Sequence, residues 1–360
     1  MAVTKHALCG LLAVASCGPT PTQPQTPEVE WEGEWLRFGR SPDLAPQCAG
    51  VAPYMDRYVG ALAELFDVAP TNTVDFFYVD DQSTPCEALG CARDNTIFSL
   101  VPVQEHELVH AVRSFEGFSQ LMLEEGAAEL WGDDSRAFPF RSDTTGDLLT
   151  VPDLASPDGL PSREYGVSGR FHALLASESP DAVRQLLRTT SPLMSGEALS
   201  LELSMATGRS LEEWATQFAS YPACEHREYR DPMPTCQSVP TVARCDGGEA
   251  IEIEQYVACD DEQTLGPRDG EIWKYIAVEI EQAGTYSLFV PPDLETMQQG
   301  TVTLEECRGG CGSIVEEMAI PGSFTPGRSF EATPGRYLLR LTVPEFEAGW
   351  IRLWIEGSCE

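Results

Sequence analysis

The chain has 360 residues, with 57 Asp and Glu against 23 Lys and Arg and a formal charge of −34. Its hydrophobic fraction of 42% is that of a folded globular protein, and its length suits two domains of roughly 150 residues each. The acidity excludes a nucleic-acid backbone as partner and opposes anionic lipid. With no D-x-D-x-D-G run for calcium, it reads as a solvated surface.

Residues 1–16 form an export signal. Lys5 and His6 precede an apolar run, Ala7 to Ala15, that is too short to cross a bilayer. It ends in Val14-Ala15-Ser16-Cys17, which resembles the bacterial lipobox. That resemblance implies cleavage before Cys17 and a lipid on its side chain; ordinary cleavage nearby is the alternative. Since no other run approaches the roughly 18 apolar residues of a membrane helix, any membrane link is through this lipid, at a bacterial cell envelope. With Cys9 lost in the signal and Cys17 lipidated, ten of the twelve cysteines remain. An even set in an exported protein reads as disulfides in an oxidising compartment, in preference to a Cys-rich zinc site. Cys86/Cys91 and Cys307/Cys311 are close enough to close small loops.

Residues 17–30 are a Pro-rich tether. A first domain spans 31–222. Its pattern predicts a strand at 31–40, a helix at 51–66 and a strand at 74–79. The Cys86/Cys91 turn and a short, edge-like strand at 96–101 come next. Helical spacing follows at about 103–115, 119–132, 167–177, 180–189 and 210–220. Between 133 and 163 lies a long loop rich in Pro, Gly, Ser and Asp, and loops of that length are usually functional or disordered. Residues 223–245 form a Cys/Pro linker containing His226, read as structural or merely exposed. The remainder, 246–360, alternates in strand fashion at 272–278, 284–290, 335–343 and 350–355, which predicts an antiparallel β-sandwich. The expected fold is therefore an α+β domain followed by an all-β sandwich, without internal repeats.

The chemistry concentrates at His106-Glu107-Leu108-Val109-His110. Residues four apart share one face of a helix, so both imidazoles can ligate one Zn²⁺. Glu107 then projects beside the metal, where it can take a proton from the attacking water. A third ligand must come from elsewhere, and the second helical stretch offers Glu124, Glu125 and Glu129.

Here the chain resembles the gluzincin metallopeptidases, bacterial MA-like peptidases in which H-E-x-x-H is followed by an E-G-x-A-E helix. Glu125-Gly126-Ala127-Ala128-Glu129 matches that pattern. The resemblance implies a zincin-like fold, Glu125 as third zinc ligand, and Glu129 as the residue that orients a ligand histidine. The interval from His110 is short for the family, leaving Glu124 as the other candidate. Tyr165-Gly166-Val167-Ser168-Gly169-Arg170-Phe171 resembles the family's Y-x-x-A-G-x-F segment, and Leu211-Glu212-Glu213-Trp214 a segment near the domain's end. Such a site needs an oxyanion donor, for which Tyr165 is the first candidate and His172 the second. The C-terminal strands resemble, more faintly, prepeptidase C-terminal domains. The implied activity is zinc-dependent hydrolysis of peptide bonds, with a peptide or protein as the substrate. The alternative is a surface lipoprotein that keeps the zincin-like fold only for binding.

Overall fold

The computed structural model describes residues 26–69, 71–81, 83–86, 89–132, 146–221, 229–244, 250–290, 300–308, 310–311, 314–320 and 327–357. The export signal, Cys17 and the tether up to residue 25, residues 133–145 of the long loop, and His226 lie outside these residues. Among them the chain is mixed α/β, with eight α-helices and several sheets.

The first half is built on a five-stranded sheet. Its strands are β1 (Val29–Glu32), β2 (Leu36–Arg40), β3 (Val74–Tyr78), β4 (Gly90–Arg93) and β5 (Thr96–Ser99), in the order β1-β2-β3-β5-β4. Strands β2, β3 and β5 run parallel, while β1 and β4 pair antiparallel at the two edges. Helix α1 (Val51–Phe66) makes the crossover from β2 to β3. It buries Tyr54, Met55, Tyr58, Val59, Leu62 and Phe66, a stripe at three- and four-residue spacing. Asp67, in the left-handed region at φ 55°, ends the helix, and its N–H reaches the Ala63 and Glu64 carbonyls.

Six helices follow: α2 (Glu105–Ser114), α3 (Leu121–Trp131), α4 (Tyr165–Glu178), α5 (Pro180–Thr189), α6 (Gly196–Thr207) and α7 (Leu211–Ser220). Helix α7 opens with a reciprocal capping box between Ser210 and Glu213. In the stretch read as a linker, β6 (Tyr229–Arg230), α8 (Met233–Ser238) and β7 (Thr241–Arg244) succeed one another. Thr235, Cys236 and Ser238 of α8 are buried.

The C-terminal strands are β8 (Ala250–Val257), β9 (Thr264–Arg268), β10 (Glu271–Ile280), β11 (Gly284–Phe289), β12 (Gly300–Glu306), β13 (Gly310–Cys311), β14 (Ile314–Ile320), β15 (Arg328–Ala332), β16 (Gly335–Pro344) and β17 (Gly349–Glu356). One sheet runs β14-β12-β16-β10-β7 with β9 joined to β10, and the other runs β15-β11-β17-β8. Ile272, Ile276, Val302 and Leu341 of the first share one apolar cluster with Ile251, Leu288, Leu353 and Ile355 of the second, a sandwich-like arrangement. Strand β10 is buried on both faces: Trp273, Tyr275 and Ala277 belong to the core of the helical half instead. That two-sided burial explains its unbroken apolar text.

Three disulfides are described. Cys86–Cys91 closes a small loop as its spacing suggested, whereas Cys307 pairs with Cys236 and not with Cys311. Proximity in sequence was outweighed by the packing of α8 beside the end of β12. Cys48–Cys259 ties the entry to α1 to the sandwich half. These cross-links fit an oxidising, extracellular environment. Among the described residues no helix is long and apolar enough to cross a membrane.

Several elements differ from the sequence expectation. The strand expected at 31–40 is a pair, β1 and β2, broken at Gly33 to Trp35. Strand β5 is not the edge; β4, expected only as a turn, pairs outside it. Helix α6 escapes the pattern because Leu199, Leu201 and Leu203 alternate as a strand would, and only Leu199 and Leu203 are buried. Strands β8, β9, β12, β14 and β15 escape it as well.

Candidate metal centre

Helix α2 carries the H-E-x-x-H residues and α3 runs beside it. At the start of α3, the Gln120 side chain accepts from the Met122 N–H, fixing its first turn. Glycines set the spacing: a Cβ on Gly126 would lie 2.6 Å from the Ser168 carbonyl oxygen of α4. One on Gly132, at the end of α3, would lie 2.5 Å from the His106 Cα. Any side chain at either position would push the neighbouring helix away. Tyr58 of α1 donates to the Trp131 carbonyl, and Tyr54 donates to Glu105, the residue before His106, at 3.2 Å.

The outcome is a convergence of three donor atoms. His106 Nε2 and His110 Nε2 lie 3.2 Å apart, and Glu125 Oε2 is 3.3 Å from the first and 3.5 Å from the second. This His/His/Glu group could hold a metal ion. All three residues are buried or nearly so. Burial works to raise the Glu125 pKa, but the His110 and His106 imidazoles overcome it and hold the carboxyl well below the usual carboxylate range. Burial likewise works to lower the His110 pKa, yet the Glu125 carboxylate raises it above its ordinary value. Two imidazoles and a carboxylate at such short range form a site of concentrated negative and lone-pair character, suited to a cation.

Glu129 Oε1 stands 3.4 Å from His106 Nδ1, on the ring edge opposite the donor cluster. Glu124, the competing carboxylate, points elsewhere. Its Oε2 accepts from Ser119 Oγ at 2.7 Å, and its Oε1 lies 3.4 Å from the Nε of the fully buried Arg113. Arg113 also donates to the Leu187 carbonyl at 2.6 Å and to Glu116.

The donors open onto a cleft of about 410 Å³. Glu107 and Tyr165 line it, with Gly90, Cys91 and Ala92 of the edge strand β4 forming one wall. Tyr165 stacks parallel to His106, with centroids 5.9 Å apart and planes 9° from parallel. His172 is not part of the cleft lining. It is buried against Trp131, edge to face at 5.0 Å, with neither ring nitrogen hydrogen-bonded. Burial and the nearby Arg113 push its pKa down to about 3. Sequence reasoning missed the β4 wall, Gln104, Phe118 and Leu121. Gly90 was the available signal: its Cβ would meet Gln104 Oε1 at 2.0 Å, so a side chain there would have to displace the Gln104 amide that accepts from Ser99 Oγ.

No family model matches this sequence, and no curated protein matches it. Solved structures similar to parts of the chain include the pre-peptidase C-terminal domain of a collagenase from Bacillus anthracis. It is 15% identical over 32% of this chain and 97% of that one, at a TM-score of 0.23. Another is the C-terminal CBM6 of LamC from Zobellia galactanivorans, 15% identical over 30% of this chain and 99% of that one, at 0.20. Legionella pneumophila aminopeptidase A, in complex with aspartic acid, is 8% identical over 90% of this chain and 36% of that one, at 0.30. Likenesses at these scores carry no chemistry, and the site stands on its own geometry.

Proposed function

We propose that the chain is a zinc-dependent metallopeptidase of gluzincin type, held at a bacterial cell envelope by a lipid on Cys17. One observation carries this reading. Tetrahedral zinc with ligand bonds of about 2.0–2.1 Å sets its ligand atoms about 3.3–3.4 Å apart. The three donor-to-donor distances here are 3.2, 3.3 and 3.5 Å. His106, His110 and Glu125 would hold the ion, and the cleft would keep its fourth position open to water and substrate. Bound zinc supplies Lewis acidity and brings the pKa of water towards about 7.

The chain's own residues supply the rest. Glu129, with Oε1 3.4 Å from His106 Nδ1, would attract the proton to that nitrogen and leave Nε2 as the metal ligand. Glu107, beside the donors, takes the proton of the attacking water and returns it to the leaving amine nitrogen. Tyr165 at the cleft wall donates to the oxyanion of the tetrahedral intermediate. An extended peptide would lie along the free edge of β4, its backbone groups paired with that strand.

The test combines metal analysis with a peptide-library digest of the full chain. The expected result is one zinc per chain and cleavage that chelator stops and added zinc restores. Glu107→Gln should keep the zinc and lose about 10²–10⁴-fold in rate. Cleavage by that variant at the parent rate, or a metal-free chain of full stability, sinks the proposal.

A further inference from the structure

We propose that Asp158 makes the metal cleft selective for a lysine or arginine side chain of the peptide, seated beside the bond that is cut. This selectivity rests on the peptidase reading and names its substrate class. Asp158 belongs to the described part of the 133–163 loop, and it lines the same cleft of about 410 Å³ as His106, His110 and Glu125. That volume lies near the small end of ligand pockets, roughly 300–1,000 Å³. A side chain that reaches Asp158 therefore belongs to a residue close to the scissile bond.

The turn that carries Asp158 is held at several points. Ser156 and Gly159 exchange both backbone hydrogen bonds, at 3.1 and 2.9 Å, across Pro157 and Asp158. Pro157 presets the first bend, and Gly159, at φ 118°, takes a conformation that other residues rarely adopt. The Ser156 hydroxyl donates to the Gly159 carbonyl at 3.2 Å and accepts from the Asp158 N–H at 3.3 Å. Val151 before the turn and Leu160 after it lie in the core of the helical half. Asp158 gives only its N–H to this frame. Its carboxylate has neither a hydrogen bond nor an ion pair among the described residues.

The rest of the cleft selects the partner of that carboxylate. Its other acids are committed: Glu125 to the donor cluster, Glu107 to the proton transfer proposed above, and Glu124 to Arg113 and Ser119. Among the described residues no lysine or arginine lines the cleft. Phe118 and Leu121 add an apolar stretch of lining. Phe118 is half-buried and belongs to none of the apolar clusters, so its ring has surface left to cover. Lysine and arginine match both features, with an aliphatic stem for the apolar lining and a cationic head for the carboxylate. The ammonium at a peptide's N-terminus carries the charge without the stem and leaves Phe118 and Leu121 uncovered. An acidic side chain would be repelled by Asp158, and the chain's charge of −34 steers cationic peptides towards the cleft.

Digestion of N-acetylated peptides that differ at one residue, by the full zinc-loaded chain, tests this. Mass spectrometry locates each cut, and kcat/KM is compared for lysine, arginine, norleucine and glutamate at the variable position. Norleucine has the stem without the charge. Lysine and arginine beside the cut should exceed it about tenfold, the worth of one charge-assisted hydrogen bond partly open to water. Asp158→Asn, which suits the same turn position, should bring that ratio near one with zinc content kept. Asp158→Lys should place glutamate above lysine, and Asp158→Glu should keep the preference. Melting curves and zinc analysis of each variant separate lost selectivity from lost fold. Equal rates for lysine and norleucine in the parent overturn the proposal and leave the peptidase reading standing. So does a ratio unchanged in folded, zinc-loaded Asp158→Asn or Asp158→Lys. So does cleavage of unacetylated peptides with the acetylated ones left uncut. If the zinc-loaded chain cuts no peptide at all, the peptidase reading itself fails, and the selectivity with it.

Discussion

The two halves of the molecule place charge in opposite ways. Between the sheets of the sandwich the core is apolar among the described residues, with Lys274 paired to Asp261 at 3.3 Å, while the buried Arg340 lies over Trp273 and Tyr275, which belong to the core of the helical half. Beneath the cleft of the helical half, by contrast, His106, Glu107, His110, Arg113, Glu124 and Glu125 are all buried within two helices. Burying ions is expensive unless each finds a partner. The helical half solves this in two groups. Beside the donors, Arg113 and Glu124 pair with each other, with Ser119 and the Leu187 carbonyl as further partners. Facing the cleft, the His106, His110 and Glu125 donor atoms converge at 3.2–3.5 Å, a group that could hold a metal ion. Structural charge and site charge lie within one turn of each other, and only their partners tell them apart.

That distinction is sharpest at Arg113. Arg113→Met removes the cation but leaves Glu124 buried, so it should cost about 3–5 kcal/mol of stability. Glu125→Gln should instead abolish metal binding, since one ligand is lost, with a much smaller change in the stability of the metal-free chain. Melting curves in chelator, beside metal titrations, check both. If Glu125→Gln is as destabilising as Arg113→Met, the two groups are not separate in function.

Glu129 probes the site from outside its donors. With Oε1 3.4 Å from His106 Nδ1, it should fix the ring and raise its basicity. Glu129→Gln should weaken metal binding about 10- to 100-fold while the stability of the metal-free chain changes little. Titration with Co²⁺ as a coloured substitute for zinc reads this directly. Unchanged affinity would leave Glu129 as a helix residue only.

Much of this was legible in the text of the chain. The four-residue spacing of His106 and His110 required only a helix, and α2 supplies it. Which of two adjacent carboxylates turns toward the histidines was not legible. Glu124 and Glu125 differ by about 100° around a helix, and the choice depends on where α2 and α4 lie against α3, which Gly132 sets through its contact with His106 and Gly126 through its contact with Ser168. The wall at β4 was equally hidden. Gly90, Cys91 and Ala92 have little strand preference, and they pair because the turn at Asp94, with φ 52°, folds them back on β5. The sandwich was half legible: β10, β11, β16 and β17 alternate or run apolar, and β8 is not among the strands expected although Ile251 and Ile253 alternate with Glu252 and Glu254.

His172 gives the effect that shows only on acidification, and the one easiest to misread. Its position directly after the Y-x-x-A-G-x-F-like segment suggested a role at the cleft, but the ring packs against Trp131 with neither nitrogen hydrogen-bonded. Its pKa is pushed down to about 3 from an ordinary 6.5, by burial first and the Arg113 charge second. The unfolded chain therefore takes up a proton in that window while the folded chain does not. The contribution to stability is complete above about pH 6.5 and falls by about 1.4 kcal/mol for each pH unit as the pH drops towards 3. His172→Phe keeps an aromatic ring against Trp131 and removes the titration. Its stability relative to the parent should rise with that slope as the solution is acidified below 6.5, and should be flat above it. A constant difference across the range would mean that the folded protein takes up the proton too, which a ring this deeply enclosed beside a guanidinium should resist.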